Sequence, residues 1–121
     1  MEDIKIVRLK SGEDIVGYVA ENNDKIIISY PMIINLIKEN GIQSFTIQSW
    51  MPHQLFKLNE ASIWLNDVLM LSEVADEFVE YYLQMVDRLT KYIAAEEIIS
   101  HLQEEEMIMS ALEERESNIL H

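Results

Sequence analysis

The chain changes character near Val74, and that change limits its fold more than any other feature. Before Val74 the apolar residues come in short runs: IKIV, DIVGYV, IIISYPMIINLI, FTIQSW, SIWL and VLML. The runs are rich in Ile and Val, and turn-forming residues separate them, a pattern that predicts strands. All three glycines (Gly12, Gly17, Gly41) and both prolines (Pro31, Pro52) lie in this part. After Val74 neither residue occurs, and Glu, Leu, Met and Ala abound, all good helix formers.

Phe78, Tyr82, Met85, Leu89 and Tyr92 recur at steps of three or four, one face of a helix. Glu96 and Gln103 then interrupt that stripe, and Ile98, Ile99, Leu102, Met109 and Leu112 form a second one, rotated from the first. Two helices, or one helix bent around Ala94–Glu97, satisfy the pattern, and Ser72 with Glu73 after it is a suitable N-terminal cap. The expected division is a β unit over residues 1–73 and an acidic helical extension over 74–121. The extension is expected to pack on or beside the sheet, because so short a helical piece rarely holds a core alone.

Charge and cysteine content remove several functions. The 121 residues, one domain's worth, include 22 acids, 9 bases and no cysteine. A disulfide framework, thiol catalysis and Cys-ligated zinc are thereby excluded. Of the net charge of −13, residues 1–73 carry −4 and residues 74–121 carry −9. Such a balance suits neither a broad nucleic-acid-coating surface nor tight phosphate binding. No apolar run approaches the ~20 residues of a membrane span. MEDIKIVRLK lacks the apolar stretch of a signal peptide. The cytoplasm is the expected location.

The most specific signal reads Val7-Arg8-Leu9-Lys10-Ser11-Gly12-Glu13-Asp14-Ile15-Val16-Gly17-Tyr18-Val19. Two alternating segments flank a tight turn at Lys10 to Glu13, where Gly12 suits the positive φ such turns require. Gly17 lies within a strand, where glycine normally weakens the structure, so a sharp bend or a close backbone approach is expected there. Leu9, Gly12, Gly17 and Val19 match each step of the first motif of the Sm and Sm-like family, which this stretch resembles. The resemblance implies a strongly bent five-stranded antiparallel barrel, here carrying one or two C-terminal helices: mainly β with C-terminal α. It also implies subunits that pair edge strands into rings, often around single-stranded RNA. More narrowly, RLKSGEDIVGYV with YPMII and WMP resembles small proteins of T4-like marine phages, which would place the protein in the host cytoplasm if it is phage-encoded.

The chain departs from the family at the residues that would touch RNA. The places of the family's Asp and Met-Asn pair hold Asn23, Ile26 and Ile27, with Asp24 one step from the Asp place. Met32 and Asn35 are candidate counterparts after a longer turn. In the second motif Trp64 and Leu65 stand at the Arg and Gly places, and Asn66-Asp67 reads as a turn pair. An RNA site would draw on Arg8, Lys10, Tyr30, Met32, Asn35 and Asn66, with Lys5 adding charge and Trp50 or Trp64 stacking on bases.

Other chemistry is sparse. Glu97 and His101, with Glu104 and Glu105 a turn on, offer metal ligands at helical spacing, but no HExxH spacing is present and a Glu-rich exposed face is the commoner cause of such a pattern. There is no nucleophile elbow, P-loop or dinucleotide fingerprint, so neither catalysis nor a cofactor is expected. Met107, Met109 and Leu112, bracketed by Glu104–Glu106 and Glu113–Glu114, suit a partner contact. IIISYPMIINLI and FTIQSW hold no internal charge, and as open edges they would pair between copies. The leading expectation is a non-enzymatic, homo-oligomeric scaffold, a ring of roughly five to seven subunits, that binds protein partners. The runner-up is an RNA-binding chaperone of Sm-like type.

Overall fold

The computed structural model describes residues 3–119, and side chains as far as Arg115. It contains an antiparallel sheet followed by one helix. The strands are β1 (Asp3–Leu9), β2 (Asp14–Asn22), β3 (Lys25–Glu39), β4 (Ile42–Ser49), β5 (Glu60–Trp64) and β6 (Val68–Glu73). Each strand-like run of the sequence is one of these strands, so there are six strands where five were expected. The order is β4-β3-β2-β1-β6, and β5 pairs with β3. β3 therefore lies inside the sheet: its first half pairs with β5, its second with β4, and β2 lines its other side. This corrects the expectation that IIISYPMIINLI is an edge; β4 and β6 are the outer strands of the order.

The sheet is not closed. β5 pairs with β3 and β6 pairs with β1, while a 3-10 helix at Leu65–Asp67 carries the chain from β5 to β6. No ladder joins β5 to β6 among the described residues. Turn chemistry sets the hairpins. Asn40 and Gly41 both adopt positive φ between the paired Glu39 and Ile42, the preference of a two-residue Asn-Gly turn. Gly12 at φ 96° closes the turn after β1, its N–H donating to the Leu9 carbonyl at 2.9 Å.

β3 carries a bulge that explains Gly17. Val16 faces Met32 and Tyr18 faces Ser29, so Gly17 alone opposes Tyr30 and Pro31. Tyr30 sits at φ 50°, and Pro31 has no N–H for a ladder to lose. A Cβ on Gly17 would meet Ile28 Cγ2 at 2.5 Å and the Ser29 carbonyl oxygen at 3.0 Å. The expected close backbone approach is thus present. Around it lies the core: Val7, Leu9, Ile15, Val19, Ile26, Ile28 and Ile63 are buried together.

The helix α1 (Asp76–Ile119) is continuous, so it passes through Ala94–Glu97 without a break. Its cap is not Ser72. Phe78 and Val79 N–H groups donate to the Ala75 carbonyl. Ser72 remains in β6 opposite Ile6, because ladder pairing there holds the backbone extended. Asp76 and Glu77 supply negative charge at the helix start instead. The chain forms two compact units. One, through Val86, holds the sheet and the first turns of α1; the other, from Asp87, is the rest of α1.

In the first unit Tyr82 is wholly buried and joins α1 to the bulge. Its hydroxyl donates to the Tyr30 carbonyl at 2.8 Å, with the Ser29 carbonyl at 3.3 Å. The bulge takes Tyr30 out of the β2–β3 register, and the phenol satisfies its carbonyl. Tyr18 meets the Tyr82 ring edge-on, centroids 5.9 Å apart.

Candidate functional site

The turn after β1 and the Leu65–Asp67 helix are tied by the Lys10 N–H, which donates to the Asp67 carbonyl at 2.9 Å. Beside this tie is a cleft of about 330 Å³, walled by Lys10, Ser11, Trp50, Ser62, Trp64 and Asp67. Glu13 orients one wall: its Oε2 accepts from Trp50 Nε1 at 2.9 Å and its Oε1 from the Ser11 hydroxyl at 3.1 Å. Trp64 carries the Lys25 ammonium 4.4 Å from its ring centroid, a cation–π contact. Two indoles and Lys10 therefore border a space at the small end of ligand-binding clefts, and Lys25 lies against one of those indoles. Glu13 and Asp67 offset those cations.

The sequence candidates fall in different places. Lys10 joins Trp50 and Trp64 at the cleft. Arg8 does not line it: Arg8 bridges both carboxylate oxygens of Asp14, at 2.8 and 3.1 Å. That hydrogen bonding, aided by charge attraction, raises the Arg8 pKa further. Lys5 reaches Glu73 at 4.0 Å. Met32 is 2% exposed, its side chain in the interior. Tyr30 is in the bulge, Asn35 opposes Thr46 in β3, and Asn66 is exposed in the 3-10 helix. None of these four lines the cleft. Of the motif residues, Leu9 and Val19 are core, Gly12 forms the turn and Gly17 faces the bulge.

A second, apolar cleft of about 440 Å³ was not foreseen. Ile6, Ile34, Phe45, Val74, Phe78 and Tyr81 line it. These residues come from β1, β3, β4, the segment entering α1 and the first turns of α1, so no local pattern joins them all. The i, i+3 pair of Phe78 and Tyr81, with rings 6.0 Å apart, is the one local signal.

In the second unit Met107, Met109 and Leu112 are 73%, 62% and 53% exposed. Glu97, His101, Glu104 and Glu105 lie on the same helix, and no group of three or more potential metal ligands converges among the described residues. Nor is any helix, among the described residues, long and apolar enough to cross a membrane. No protein-family model matches this chain, and no curated protein does.

Proposed function

We propose that the protein is a non-enzymatic assembly module of Sm-like type, which pairs through sheet edges and binds protein partners through its acidic helix. The chemistry of its outer strands carries this reading. β4 holds no charged residue, and β6 holds only Glu73, at its end. Phe45 on β4 and Leu69 on β6 are 52% and 66% exposed. An uncharged outer strand is a template for another chain unless something covers it. β4 of one copy laid against β6 of the next is a head-to-tail contact, and such contacts close into rings when the rotation permits. The antiparallel sheet, with β5 and β6 linked by a three-residue helix, supports the Sm-like form. Size-exclusion chromatography with light scattering should give a multimer, roughly five to seven copies by the family's habit. A monomer at micromolar concentration overturns the reading.

The cleft at Lys10, Trp50 and Trp64 supports a second reading, weak binding of single-stranded RNA. Stacking indoles and a lysine are the usual means of such contact. The test is fluorescence anisotropy of a labelled RNA at about 50 and 200 mM salt, a span over which phosphate-driven affinity falls steeply. Salt-sensitive binding lost in Trp64→Ala favours RNA; no binding at low salt removes it.

A further inference from the structure

We infer that α1, from Ile98 to Leu112, docks a basic amphipathic helix of a partner protein. The inference rests on the reading of α1 as a partner-binding element and gives that partner its chemistry.

Ile98, Leu102, Met109 and Leu112 are each more than half exposed. Together with position 105 they recur at alternating steps of four and three, the spacing of a helix-pairing seam. The middle place of the seam is Glu105. Glu106 and Glu113 fill the row alongside it. An apolar seam with a carboxylate at its centre and more along one flank selects its occupant by charge.

A second copy of the chain fits poorly in either direction. Parallel pairing sets Glu105 against its own counterpart inside the seam. Antiparallel pairing sets the Glu106 and Glu113 row against itself. Both arrangements bring like charges together as apolar surface is covered, and both lose carboxylate hydration. A helix with Leu-type residues at its seam places and Lys or Arg opposite these glutamates meets neither obstacle. Long basic side chains lay their methylenes on Leu102 and Met109 while their heads reach Glu105.

The probe is a labelled three-heptad peptide with Leu at the seam places and Lys and Arg elsewhere, titrated against the full chain by anisotropy. Two control peptides are used: the same composition scrambled, and the same seam with Glu replacing Lys and Arg. Binding of the first at least tenfold tighter than both controls, weakening with salt, is expected. Glu105→Lys/Glu106→Lys should lose at least tenfold for the basic peptide and gain affinity for the acidic one, with helix content by circular dichroism unchanged. Equal affinity for the scrambled peptide overturns the inference, as does no binding at about 100 µM.

Light scattering of Leu102→Ser/Met109→Ser separates the two readings. An unchanged mass is expected. A fall in mass means that a second copy occupies the seam, which overturns this inference; pairing through the sheet edge is read separately from Thr46→Lys. A wild-type monomer that binds none of the peptides overturns both.

Discussion

At position 17 a single methyl group has nowhere to go. Its nearest neighbours would be Ile28, fully buried, and the Ser29 carbonyl, which the ladder holds in place. Gly17→Ala should therefore cost about 1–3 kcal/mol in urea denaturation, the range for overpacking. In an Ile28→Leu background, which lacks the offending Cγ2, the same substitution should cost less, a coupling that a double-mutant cycle reads directly. Tyr82→Phe tests the other side of the bulge. Leaving the Tyr30 carbonyl without its donor should cost about 1–3 kcal/mol. The same phenol sets a pH dependence. Burial, then the neighbouring Tyr18, raise its pKa well above the usual 10.0. The folded state keeps a proton that the unfolded chain releases near pH 10. This contribution is thus intact below about pH 10 and is lost as pH rises beyond it. Urea midpoints should fall above that pH, and less steeply in Tyr82→Phe. Gly17 was legible in the sequence, because a glycine amid Ile, Val and Tyr needs a reason. Tyr82 falls in the first helical stripe, but its polar role was not legible, because the Tyr30 carbonyl it serves leaves the regular register only when Tyr30 takes its left-handed conformation.

Among the elements, β3 does the most joining, and its bulge divides that work: β5 pairs before Tyr30, β4 after Pro31. The runs of Ile and Val revealed each strand, because β-branched residues and turn pairs such as Asn40-Gly41 act locally. They could not reveal which strands lie outermost, since pairing partners are set by topology. The uncharged IIISYPMIINLI therefore looked like an edge although it is central. The cap at Ser72 failed for a related reason: a good capping side chain lost to pairing with β1, a contact from the other end of the unit. The helix divides too, since Tyr82, its buried anchor, belongs to the unit ending at Val86. Deleting residues 104–121 should lower the helical circular dichroism signal and leave the sheet folded, with the emission of Trp50 and Trp64 unchanged. A shift in that emission would show that the sheet depends on the distal helix.

For the whole molecule, the decisive surface is the outer strand β4. Thr46 lies in it, exposed, opposite Asn35. Thr46→Lys places a charge where a second copy would pair, a device that natural edges use against association. The light-scattering mass should fall to that of a monomer with little change in melting temperature. A mass that does not move would place the contact elsewhere. The order of the sheet also has a consequence in time. β1 to β4 follow one another as hairpins with loops of a few residues, and such hairpins form in about 1–10 µs. β6 is different, because Val7 faces Leu71 and that ladder closes a loop of about sixty residues. Its return is the high-contact-order step and should limit the folding rate. During synthesis, at about 5–20 residues per second, β1 waits several seconds with one edge open before β6 emerges. The first strand made is the last to gain its second neighbour, and in that interval the nascent chain is most open to mispairing.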